Sequence, residues 1–100
     1  MTKVALFVEL KAKPGKEAAL RALLIGARPL ALAEPATITW FAIQLDTHTF
    51  AIFDTFPEED GRDAHLNGPI AAALMARADE LLASPPHIRK ADVLADKLPA

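Results

Sequence analysis

Three histidines, His48, His65 and His87, are the side chains of this 100-residue chain best suited to move a proton near neutral pH. No two of them fall at helical metal-ligand spacing, so a metal site would have to be assembled from separate elements. His65 stands out. It lies in "RDAHLNGPI" (62–70), just before a Gly-Pro pair that closes one helix and opens another. A neutral imidazole there could take a proton from a weakly acidic hydroxyl. The same position also suits a helix-end histidine bonded to the last carbonyls before Gly68, and composition alone favours that second reading. His48 beside a turn and His87 after Pro86 read as solvent-facing. Asp54 is the odd residue of an apolar strand, and a carboxylate there needs a partner. It could orient an imidazole, pair with an arginine across an interface, or point to solvent at a sheet edge. Trp40, with Phe41, Phe50, Phe53 and Phe56, could line a flat apolar pocket for an aromatic ligand or simply pack a core.

Several chemistries lack their parts. The single serine, Ser84, sits beside Pro85, which argues against a Ser-His-Asp hydrolase. Tyrosine and cysteine are absent, removing phenolic acids, thiolate nucleophiles, disulfides and zinc-thiolate sites. Neither a P-loop nor G-x-G-x-x-G occurs. With a net charge of −2 and no basic patch, nucleic acid is not expected as a partner. "MTKVALFVELKAKPGK" does not read as a signal peptide, since Glu9 and Lys11 break its apolar run. No stretch reaches the roughly 20 apolar residues that span a bilayer. The expected setting is the cytoplasm, without a membrane.

The elements that must position these residues follow from periodicity. "KVALFVELKA" (3–12) alternates, with Val4, Leu6, Val8 and Leu10 on one face, and "KPGK" ends the strand. From Lys16 the period becomes helical through Leu20, Leu23, Leu24 and Ala27; Pro29 kinks the helix and Pro35 stops it. "TITWFAIQL" (37–45) and "HTFAIFDTF" (48–56) read as strands joined by a tight turn at Asp46 and Thr47. A short helix over 58–66 follows. A second begins at Pro69 and carries the stripe Ile70, Leu74, Ala78, Leu81 and Leu82. "IRKADVLADKL" (88–98) reads as a last strand. The order βαββαβ in a single domain over 1–100 gives an α+β, ferredoxin-like fold, a four-stranded antiparallel sheet with helices on one face.

Helices on one side leave the other side of the sheet open, yet both sides of the strands are apolar. Val4, Leu6, Val8 and Leu10 are backed by Ala5 and Phe7; Phe41 and Ile43 alternate with Trp40 and Ala42; Phe50, Ile52 and Phe56 alternate with Ala51 and Phe53. Hydrophobic residues make up 52% of the chain, more than one small core is expected to hold. The simplest cover for the open face is the same face of a second copy, in a two-fold homodimer.

"KPGKEAAL" after the first strand, then "AEPATITWFA", then "FAIFDTFPEEDGRDAHL" together resemble, in order and spacing, the antibiotic biosynthesis monooxygenase (ABM) domain family of small dimeric α+β barrels. The second segment is similar to that family's Glu-Pro-Gly-x-x-x-Tyr. The third is similar to its run of Phe, three residues later Glu, then Trp, and a His on the next helix, on which His65 falls, eleven residues after Asp54. Ala36 stands for the usual glycine, Trp40 for the tyrosine, Asp54 for the glutamate and Phe56 for the tryptophan. These departures bear on substrate more than on fold. The family includes cofactor-independent oxygenases of polycyclic quinols and anthrones, haem-degrading enzymes and a signal-molecule isomerase. The haem-degrading branch uses an asparagine on the first strand, whereas the one asparagine here is Asn67. The resemblance therefore implies a cofactor-independent monooxygenase acting on a small aromatic or quinol substrate, needing no metal or flavin. His65 would be its base, Trp40 and Phe56 its pocket residues and Asp54 its orienting group. A non-catalytic dimer that binds a small apolar ligand, and an isomerase on the same fold, are the alternatives.

Overall fold

The computed structural model describes residues 2–99. Strand β1 (Val4–Lys11) is followed by helices α1 (Glu17–Gly26) and α2 (Arg28–Leu32), strands β2 (Thr39–Gln44) and β3 (Thr49–Phe56), helices α3 (Glu59–Leu66), α4 (Pro69–Ala76) and α5 (Ala78–Leu81), and strand β4 (His87–Asp92). The strands form one antiparallel sheet in the order β2-β3-β1-β4, the ferredoxin-like arrangement expected from the element order. Gly15 at φ 84° makes the turn after β1, a left-handed conformation that glycine adopts without strain.

Register fixes the two faces. Leu6 lies opposite Asp54, Val8 opposite Ile52 and Leu10 opposite Phe50, while Trp40 lies opposite Asp54 on the other side of β3. This row faces the helices. Val8, Leu10, Phe50 and Ile52 pack there with Leu20 and Leu24 of α1, Leu74 of α4 and Leu81 of α5. A smaller cluster of Ala27, Ala31 and Ile70 joins α2 to α4, and Trp40 packs against both clusters. The opposite face carries Ala5, Phe7, Thr39, Phe41, Ile43, Ala51, Phe53 and Thr55. Its small residues are shielded by their neighbours, but Phe41 is 54% and Ile43 40% exposed.

Three local expectations change. The β2–β3 connection spans 45–48 rather than two residues. Two-residue hairpin turns need positive φ, and Gly15 is the only described residue that has it. Instead, the Asp46 carboxylate accepts from the His48 N–H (2.9 Å) and Leu45 N–H donates to the Thr49 carbonyl (2.8 Å). The helix from Pro69 breaks at Arg77 (φ −117°, ψ 8°). The break lets the chain reach the end of β1, where Lys13 N–H donates to the Leu81 carbonyl and Ala83 N–H to the Lys11 carbonyl, each at 2.8 Å. Finally, β4 ends at Asp92, not at 98, because Asp92 already faces Val4, the first residue of its only partner strand.

Candidate functional site

The residues singled out in the sequence meet under the helices. Asp54 sits mid-strand in β3, in line with Trp40 and Leu6, with its side chain 1% exposed. Helix α3 packs over β1 and β3 and turns His65 inward, leaving it 8% exposed. The ring does not reach for the closing carbonyls of its own helix; Asn67 Nδ2 donates to the Asp63 carbonyl there (2.9 Å). Both imidazole nitrogens instead meet carboxylates. Nε2 is 2.7 Å from Asp54 Oδ2, and Nδ1 is 2.6 Å from Glu34 Oε1. Phe56, fully buried, lies against the imidazole with ring centroids 5.4 Å apart and planes tilted by 48°.

Glu34 comes from the turn between α2 and β2. Its Oε1 also accepts from the Thr37 hydroxyl at 2.7 Å, so one carboxylate oxygen is held by two groups. Its other oxygen, Oε2, is buried without a hydrogen-bond partner among the described residues. The Trp40 indole N–H is in the same position. So are both oxygens of Asp54, whose contact with Nε2 is close enough for an ion pair but lacks the in-line angle of a hydrogen bond. Buried polar atoms without partners are uncommon in folded proteins, and their concentration around one imidazole marks this region.

The electrostatics make the imidazole a stronger base than a free one. Burial pushes the Asp54 carboxyl above its ordinary range, and the Glu34 charge adds to that rise; the nearby His65 opposes it. Burial by itself would lower the His65 pKa, but the Asp54 and Glu34 carboxylates outweigh it and the net shift is upward. Once the ring has taken up a proton, the imidazolium so formed presents an N–H to the carboxylate on either side.

Two clefts flank this group. One, of 350 Å³, is lined by Leu30, Pro35, Gly61, Ala64 and His65 together with Glu34. The other, of 440 Å³, is lined by Trp40, Phe41, Arg28 and Leu32, again with Glu34. Glu34 and Thr37 belong to both walls. Of the residues proposed from sequence, His65 borders the first cleft and Trp40 the second, whereas Phe56 and Asp54 lie behind these walls. His48 is exposed, with Nδ1 2.7 Å from Glu17 Oε2, and His87 is exposed at the start of β4.

Sequence reasoning did not single out Glu34, Thr37 or Arg62. Glu34 had a visible sign, being an acidic residue at the end of the apolar run "LALA" and directly before Pro35. Arg62, one turn before His65, is 6% exposed and donates through Nη1 to the Ala5 and Ala91 carbonyls (3.3 and 3.2 Å), which ties α3 to the sheet. Only the fold reveals its burial.

Solved structures share this architecture. A protein from Mycobacterium tuberculosis is 23% identical with a TM-score of 0.83, covering 95% of this chain and 98% of its own. A Nitrosomonas europaea protein provisionally named an antibiotic biosynthesis monooxygenase is 15% identical with a TM-score of 0.83, covering 92% of this chain and 99% of its own. The chain thus has the ABM-like α+β fold that its motifs suggested. A second Nitrosomonas europaea protein, of unknown function, is 61% identical with a TM-score of 0.98, covering 100% of this chain and 97% of its own. This chain belongs to the same family as that protein. No family model and no curated protein matches the sequence.

Proposed function

We propose that the protein is a cofactor-independent, monooxygenase-like enzyme that acts on a small aromatic or quinol substrate, with His65 as its base. The observation that carries this reading is an imidazole held between two carboxylates at the wall of an apolar cleft, within an ABM-like fold. His65 would receive the proton of an electron-rich hydroxyl. The resulting anion would react with O₂, one oxygen atom entering the organic product and the other leaving as water. Asp54 would stabilise the imidazolium formed, and the apolar walls, including Trp40, would hold the ring and exclude water. Phe56 would act by fixing the plane of the imidazole. The working unit would be a homodimer joined through the open sheet face.

Oxygen uptake with a panel of quinols and anthrones tests this reading. Loss of the general base costs about 10²–10⁴-fold in rate, so His65→Ala should fall by at least the lower figure. Equal rates for the two proteins would remove His65 from the chemistry. One observation favours a second reading, a dimer that binds such a ligand without converting it: both nitrogens of His65 are already engaged. A thermal shift with ligand and no product would support that alternative.

A further inference from the structure

We propose that the segment after β4, residues 94–98, docks on a second copy of this chain along the free edge of its strand β2. This rests on the homodimer proposed above and adds to it a mutual exchange of arms. Two rows of backbone groups are left unpaired. Ala12 N–H donates to the His48 carbonyl and Leu45 N–H to the Thr49 carbonyl, each at 2.8 Å. Even-numbered residues of β3 therefore bond to β1 and odd-numbered ones to β2. By the same alternation Trp40, Ala42 and Gln44 turn their N–H and C=O groups outward, a free edge to which another strand can add. After β4, Val93 N–H still donates to the Lys3 carbonyl at 2.9 Å, but residues 94–98 make no backbone hydrogen bond among the described residues. The chain's own segment cannot fill its own edge, because β4 and β2 are opposite borders of the sheet.

The side chains match as well. The helix layer stops short of β2: Ala42 and Gln44 lie in the helix-facing row yet are exposed. Ile25, Arg28 and Leu32 border the clefts along this edge. Ile25 and Leu32 are exposed, and Arg28 has no acidic partner among the described residues. The free segment offers Leu94, Asp96 and Leu98, which share one side of an extended chain, and Leu94 is 97% exposed. An apolar-basic-apolar row thus meets an apolar-acidic-apolar one. Four residues of strand span about 13 Å and seven of helix about 10 Å. Both rows are symmetrical about their charge, so Asp96 meets Arg28 whichever way the segment runs. Asp96 Oδ2 accepts from the Thr2 hydroxyl of its own copy, which leaves Oδ1 for the guanidinium. The docked segment covers the outer side of the cleft lined by Arg28, Leu32 and Trp40, so each copy lends a wall to the other's cleft.

Sedimentation equilibrium of the full chain tests this with charge reversals at two exposed positions. Asp96→Arg and Arg28→Asp should each weaken the dimer about tenfold, since two equivalent pairs are lost at once. The double variant should return to within about threefold of wild type. Acrylamide quenching of Trp40, the one tryptophan, should rise in each reversal and fall back in the double variant. The chain has no cysteine of its own, so an equal mixture of Arg28→Cys and Asp96→Cys chains should oxidise to the mixed disulfide in preference to either like pair. A wild-type dimer indifferent to both reversals would overturn the exchange and leave the open-face dimer standing. Weakening by Asp96→Arg that the double variant does not repair would assign Asp96 to Thr2 alone and overturn the exchange too. A wild type that stays a single chain throughout would overturn both the exchange and the homodimer.

Discussion

The charge on His65 depends on a contest between burial and two carboxylates, and removing one carboxylate should change the winner. Asp54 and Glu34 raise the imidazole pKa from its ordinary value of 6.5 against the opposing effect of burial. In Asp54→Asn the amide keeps the volume but loses the charge, leaving burial opposed by Glu34 alone. The His65 pKa, followed by NMR of the imidazole, should fall relative to wild type. A proton held more tightly in the folded than in the unfolded chain stabilises the fold at low pH. The stability contributed by this contact is therefore fully present below about pH 6.5 and is lost as pH rises through the folded-state pKa. Asp54, with its own carboxyl raised above 3.8, acts in the same sense, losing stability as pH rises above that value. The thermal unfolding midpoint should thus fall as pH rises above 6.5 in wild type, and less steeply in Asp54→Asn. An unchanged imidazole titration in the variant would mean that Asp54 does not govern the proton.

Helix α3 carries His65, so its seating sets the reach of the imidazole. A Cβ added at Gly61 would lie 3.0 Å from the Ala36 Cβ and 3.3 Å from the Ala36 carbonyl oxygen. Neither can swing away: one is the first side-chain atom of a short residue, the other is backbone, and both follow Pro35. Overpacking of this kind costs about 1–3 kcal/mol, and the better helix propensity of alanine returns about 1 kcal/mol. Gly61→Ala should therefore lose roughly 1 kcal/mol by chemical denaturation. Adding Ala36→Gly, the residue found at this point in the ABM pattern, should recover more stability than Ala36→Gly gives alone. Additive effects would show that the two backbones are free to separate. The same pair of elements shows what a sequence can and cannot reveal. Alternation placed Val4, Leu6, Val8 and Leu10 on one face, and the helix stripes placed Leu20, Leu24, Leu74 and Leu81 above them, so the layer holding Asp54 and Trp40 was legible. The Glu34–His65 contact was not. It joins residues 31 apart in sequence through the docking of the α2–β2 turn against α3, and no periodicity records that angle. The break at Arg77 escaped for a related reason: no proline or glycine marks it, and the pull comes from bonds with the end of β1.

At the scale of the whole molecule, the helices satisfy one face of the sheet and leave the other with Phe41 and Ile43 well exposed beside half-buried Phe7 and Phe53. These four side chains belong to adjacent strands, Phe41 and Phe7 both lying opposite Phe53 in register, so they form one patch and not scattered exposure. A two-fold partner presenting the same patch would cover it, and a specific interface typically takes about 800 Å² from each subunit. A charge within it should then act on assembly before it acts on folding. Phe41 is an edge-strand residue that already meets water, so Phe41→Glu removes little from the monomer's own core. In a dimer joined through this patch it would bury a carboxylate from each subunit, and the desolvation of each opposes association. Sedimentation at micromolar concentration should give a dimer for wild type and a folded monomer for Phe41→Glu, with the helix content unchanged. A wild-type protein that sediments as a single chain would show that no second copy covers the patch. The proposed oxygenase would then have to work with one cleft system per particle.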